Sequence, residues 1–203
     1  MRRVRLTWTI GGIGLVLAGV IAVLPYLRLN VGPVVFDIFD VVFGVTVIFL
    51  AIGLSKDASV VARRPLGMIA LAVLALLPFA VRFVNPYLPE MNNQTEDELT
   101  AFMFGRLALS YVAALVGSFQ IARAGTVPTS WRWAPWWAAI FSVAALVLRM
   151  FLLSAGSPFG AASVYLGALD LLARTLGLGI LALVIASRLR NRSVEVAPSS
   201  PLS

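Results

Sequence analysis

The chain contains no cysteine and no histidine. That rules out disulfides, thiol chemistry, haem ligation through imidazole and most zinc or copper sites. It also leaves cysteine usage silent about redox compartment. Charge is scarce too. Ionised residues make up 12% of the chain, where soluble domains carry about a quarter. Acidic residues number 9 against 16 basic ones, and Lys56 is the only lysine. The preference for arginine over lysine points to a GC-rich bacterial genome.

What fills the sequence instead is apolar. Of 203 residues, 60% are hydrophobic and the mean hydropathy is +0.94. Such a chain cannot cover its own surface in water, so lipid must be its solvent. Helices are the expected spanning form, because lipid leaves exposed backbone groups unsatisfied. A hydrocarbon core of about 30 Å takes about 20 apolar residues per helix. Six stretches meet that length: 7–26, 34–54, 65–84, 99–121, 134–155 and 162–187. The first follows Arg2, Arg3 and Arg5 like a signal peptide, yet its apolar run is too long and ends in no clear cleavage site. The expectation is an all-α, six-helix transmembrane bundle over 1–192 with short loops, followed by a disordered tail over 193–203 containing Pro198 and Pro201.

The basic residues are distributed unevenly. Arg2, Arg3 and Arg5, then Lys56, Arg63 and Arg64, then Arg123 and Arg132, then Arg188, Arg190 and Arg192 place eleven on one side. The other side has Arg28 and Arg82 at helix ends and an acidic loop with Glu90, Glu96, Asp97 and Glu98. Arginine and lysine stay cytoplasmic, so both termini are expected inside, in the cytoplasmic membrane of a bacterium. Trp8, Trp131, Trp133, Trp136 and Trp137 fall at the same inner interface, and Tyr26, Tyr87 and Tyr165 near the outer one, as aromatic belts do. A cation–π site around Arg132 is the competing reading of those tryptophans. The expected partner of the basic face is therefore anionic lipid headgroups. Nucleic acid is not expected, since no groove-reading or aromatic platform accompanies the charge.

Most loops are short. The exception, 85–98, holds Thr95 three residues before Glu98, the pattern of a capping box opening the fourth helix. The 93–95 triplet also matches a glycosylation sequon by composition alone. Small residues at helical spacing, as in Gly14-x-x-x-Ala18, Ala113-x-x-x-Gly117 and Ala173-x-x-x-Gly177, predict close helix packing. Gly12-Ile13-Gly14 belongs with them, because no strand precedes it to make a nucleotide loop. The runs 34–40 and 164–170 align without gaps, and each even-numbered span opens near a charge. This pattern admits three helical-hairpin repeats or two inverted halves of three helices.

Ionised residues within spans are expensive and seldom idle. Asp37 and Asp40 lie about 5 and 9 Å inside the outer boundary of their helix. Arg106, Arg149 and Asp170 fall in a similar layer, with Arg174 nearer the midplane. Three aspartates thus balance three arginines. Asp37 and Asp40 share a helix face, and Asp170 with Arg174 has the acid-first spacing of an intrahelical pair. These six are the candidate binding residues; no catalytic residue, metal ligand or cofactor is expected. Two acids side by side need a cation, a proton or arginines. Three readings follow. The first is a small transporter or solute-binding membrane subunit with a polar, outward cavity for a small solute, proton or cation. The second is a structural or regulatory subunit whose ion pairs only fix packing. The third, a lipid-active enzyme, is disfavoured: Asp37-x-x-Asp40 lacks the Gly-x-x-Ala-Arg continuation of alcohol phosphotransferases, Gly-x-Gly-Asp is absent, and a serine–histidine dyad is impossible.

Overall fold

The structure is a computed structural model that describes residues 2–27, 32, 34–84, 96–127, 131–154 and 160–195. The segment 85–95, with Tyr87, Glu90, the Thr95 cap and the sequon, lies outside the described residues, as do Arg28 and 196–203. The described residues are helical with no strand: α1 (Arg2–Val23), extended by a 3₁₀ turn (Leu24–Leu27), α2 (Val34–Ile52), a 3₁₀ turn (Lys56–Ala58), α3 (Pro65–Val84), α4 (Glu96–Ala124), α5 (Ala134–Ser154) and α6 (Gly160–Leu172). A π-helical turn, Ala173–Gly177, then leads into α7 (Leu178–Glu195). Together α6, the π turn and α7 form the last of six spans long and apolar enough to cross a membrane. This is the architecture of a multi-pass membrane protein. The outward faces agree with it, carrying Leu17, Val45, Ile69, Val147 and Phe151 exposed to the surroundings, an apolar surface far beyond what water tolerates. α7 continues through Glu195, into the segment expected to be unstructured.

Local chemistry sets the helix ends. Pro65 starts α3, where a missing amide costs nothing. Gly53 follows α2 at φ 62° and Gly125 follows α4 at φ 70°, the left-handed conformation that terminates helices and that glycine adopts without strain.

The spans pack in sequence order as a closed ring: α1 against α2, α2 against α3, α3 against α4, α4 against α5, α5 against α6, and α7 back against α1. Neighbours run antiparallel. Gly11 meets Leu50 and Gly14 meets Thr46 across α1 and α2, while Gly12 meets Leu183 of α7 and Gly19 meets Leu176 of the π turn. The α1–α7 crossing is the tightest seam. A Cβ on Gly179 would lie 2.9 Å from the Val16 amide nitrogen and 3.0 Å from the Gly12 carbonyl oxygen. Of the small-residue motifs, Gly14 and Gly117 do pack against neighbouring helices, but Gly177 does not. No neighbouring helix comes within 4 Å of its Cβ position, where the Leu172 carbonyl at 3.9 Å is the nearest atom, and it lies exposed.

The α2–α3 connection folds back under the ring as a plug. Ser59 donates to the Ala51 carbonyl, and the Val60 amide donates to the Leu50 carbonyl at 3.1 Å. Arg63 donates from Nε to the Ile52 carbonyl at 3.1 Å, satisfying a helix C-terminus that also favours positive charge. Thr126 donates to the Val60 carbonyl at 2.9 Å, and Thr7 accepts from the Leu54 amide at 3.1 Å. The plug is thus tied to α1, α2 and the α4–α5 connection. Ala58, Ser59 and Val61 are fully buried in it. Ala62 and Arg63 adopt φ 50° and 54°, a left-handed conformation costly for side-chain-bearing residues.

Candidate functional site

A ring of six helices with neighbours only on either side leaves its axis open. An axial cavity of about 260 Å³ occupies it, lined by residues from every span. The lining runs from Phe39 to Leu50 on α2 and from Ser110 to Ile121 on α4, about 16 Å of helix in each case. Among lining side chains only Asp40, Ser110, Ser118, Arg174 and Thr175 carry a charge or hydroxyl, with Trp8 adding an indole N–H. The rest are aliphatic, phenylalanine or proline. Val60 of the plug and Val127 of the α4–α5 connection contribute to the lining. We call that side the plugged end and the opposite one, where α2, α4 and α6 begin, the charged end.

At the charged end the cavity adjoins a second one of about 460 Å³ between α2, α3 and α4. The two share Asp40, Pro78 and Ser110. Arg82, Arg106, Phe102 and Met103 complete this mouth. Pro78 lies within α3 and has no amide to donate to Leu74, whose residue also lines the axial cavity.

The six residues singled out from the sequence fall into two groups. In the first, Asp37 and Asp40 both face Arg82. Its Nη1 pairs with Asp37, and its Nη2 lies 3.5 Å from Asp40 Oδ2. Arg82 supplies the cation that the acid pair requires, although its position at a helix end concealed this. Arg106 reaches Asp40 electrostatically and lines the same mouth. In the second group, Arg174 pairs with Asp170 as the spacing predicted, and its guanidinium lies 5.7 Å from the Tyr111 ring centroid. Arg149 acts on the same tyrosine from α5 and packs beside Gly167 of α6. The charged layer therefore does not form one lattice. Asp40 and Arg174 are the members of each group that line the axial cavity.

With Arg82 included, the layer holds four arginines against three aspartates, not the three against three expected. Among the described residues, Arg106 and Arg149 have no carboxylate within salt-bridge distance. Asp170 is 5% exposed, yet its Oδ1 has no hydrogen-bond partner among the described residues, nor has Arg174 Nε. Buried polar atoms left so are uncommon and call for an explanation.

The π turn places Arg174 and Thr175. It opens the i→i−4 ladder, and the Thr175 hydroxyl donates to the Leu171 carbonyl at 2.7 Å. Such turns recur at functional sites. No periodicity in the sequence announces one.

Two residues missed from the sequence belong here. Tyr111 was visible only as a phenol within a span. Trp8, expected in the interfacial belt, is 6% exposed and lines the cavity, with its Nε1 lacking a partner. Trp131, Trp133 and Trp137 are exposed, as belt residues are. Arg132 also lies 5.7 Å from the Trp133 ring, so anchoring and cation–π contact coexist. No protein-family model, curated protein or solved structure matches the chain.

Proposed function

We propose that the chain is a small transporter or solute-binding subunit of a bacterial cytoplasmic membrane, with both termini cytoplasmic. The axial cavity is its binding chamber, and the charged end is the outward mouth. The observation that carries this reading is the open axis itself. Protein interiors pack to near crystal density, and a bundle selected for packing alone would fill its axis with side chains. Here a chamber reached by all six spans adjoins a charged mouth. The orientation follows from the arginine bias toward the plugged end.

A second reading has its own support. Asp170 and Arg174 pair with one another within one span, as ion pairs serving only to fix helix register would. Single cysteines separate the two readings, since the chain has none of its own. Cysteines at positions 37, 40, 106, 149, 170 and 174 would be treated with a polar thiol reagent from outside. Ala114 would report on the chamber, and the lipid-facing Val45 would serve as the unreactive control. Labelling of the mouth and of position 114 is the expected result. Complete protection of all these positions would leave only the structural reading. A cysteine at Ser187, exposed toward the plugged end, should label only after the membrane is opened.

A further inference from the structure

We propose that the chamber takes a single-chain anionic amphipath, with one hydrocarbon chain along the axis and a carboxylate or phosphate head at the arginine-rich mouth. This rests on the solute-binding reading above and names its substrate class. The chamber's shape is the first argument. It is long and narrow, about 16 Å of helix in length, with its two charged lining residues, Asp40 and Arg174, toward the charged end. A volume of about 260 Å³, just below the usual range of ligand pockets, suits one chain and excludes two.

Charge is the second argument. Arg82 is shared by Asp37 and Asp40, and Arg174 is held by Asp170, so every carboxylate of the layer already faces an arginine. A cationic ligand would have to displace one of them. Arg106 is left over. It lines the mouth beside Phe102, Met103 and Leu107, with no carboxylate within salt-bridge distance among the described residues. An arginine in apolar surroundings is costly unless an anion meets it, and guanidinium matches carboxylate and phosphate through two parallel hydrogen bonds. The third argument is the unpartnered Arg174 Nε, a free donor on a residue that lines the chamber. A neutral hydrocarbon would leave the positive charge uncompensated, and a free small anion would leave the apolar chamber unused.

Trp8, at the plugged end of the chamber, supplies the test. In a variant with Trp131, Trp133, Trp136 and Trp137 changed to Phe, Trp8 is the sole tryptophan, and bromine at a chain end quenches it on contact. The purified protein in lipid nanodiscs would be titrated with ω-bromododecanoate, ω-bromododecyl phosphate and ω-bromododecanol. Saturable quenching by both anions is expected, with the alcohol at least about tenfold weaker, a difference of about 1.4 kcal/mol. Arg106→Gln should weaken the anions about tenfold and leave the alcohol unchanged. Arg149→Gln serves as the second variant, and gel filtration checks the fold of each. Inorganic phosphate and acetate should not displace the probes. If the alcohol binds as well as the anions, or neither arginine variant matters, the anionic assignment is overturned while the chamber reading stands. Displacement by inorganic phosphate overturns it in favour of a soluble anion. No saturable quenching by any probe overturns both.

Discussion

Closing the ring depends on α1 and α7 touching at glycine, and that seam offers a sharp test. In Gly179→Ala the new methyl would sit 2.9 Å from the Val16 amide nitrogen and 3.0 Å from the Gly12 carbonyl oxygen. Both are backbone atoms, so no rotamer change can relieve the contact, and the helices must separate by several tenths of an ångström. Overpacking of this kind typically costs about 1–3 kcal/mol. The same substitution at Gly105 meets nothing within 4 Å. There alanine only gains helix propensity, about 1 kcal/mol. By the scaling for chains of this length, 1 kcal/mol shifts the melting temperature by about 2–4 °C. Gly179→Ala should therefore melt about 2–12 °C lower than the parent, and Gly105→Ala about 2–4 °C higher. Tryptophan fluorescence of the protein heated in nanodiscs measures both. Gly12→Ala falls between, since the Leu183 side chain at 2.8 Å can turn away and only the Gly179 carbonyl oxygen at 3.0 Å is backbone. If Gly179→Ala is as stable as Gly105→Ala, α1 and α7 do not meet as described and the axial chamber is not sealed there.

Three further perturbations bear on the site and the plug. Asp170→Asn and Arg174→Gln should each destabilise by about 3–5 kcal/mol by stranding a charge, and the double variant by less than their sum; an additive cycle in thermal unfolding would mean the pair is not coupled. Arg82→Gln removes the counter-ion of two carboxylates, but Asp37 is half exposed at 50%, so the loss should be only about 1 kcal/mol, reversed when Asp37→Asn and Asp40→Asn are added. Ser59→Ala removes a fully buried hydroxyl that donates to Ala51 and accepts from the Arg63 amide at 3.1 Å, a loss of about 1–3 kcal/mol; trypsin should then cut after Arg63 faster than in the parent (Pro65 protects the bond after Arg64), and an unchanged rate would refute the plug.

The spans were legible because hydropathy is a sum over consecutive residues and needs no partner. Asp170 and Arg174 were legible as a pair for the same reason, since four residues on one helix fix their proximity. Arg82 was not. It lies 42 positions from Asp40 in sequence, and its value to the site depends on α3 packing beside α2. Trp8 misled in the other direction. Its place in the chain is that of an interfacial residue, and only the packing of α1 turns it inward. Arg63 was counted correctly as a basic residue of one side, while its second task, satisfying the end of α2, awaited the fold of the plug.

By itself, then, the sequence determined how many times the chain can cross a membrane, which residues lie within the spans, and where the charges sit along each helix. The tertiary structure alone decided that the spans form a ring, that its axis is open and mostly apolar, that four arginines share the charged layer with three aspartates, and that one connection folds back as a plug. The reason is physical. In water, an amphipathic stripe tells a helix which face to bury. In lipid, the inside and the outside of the bundle are equally apolar, so packing of small residues and pairing of a few polar groups set the arrangement. Those choices are made between helices, by residues far apart in the chain.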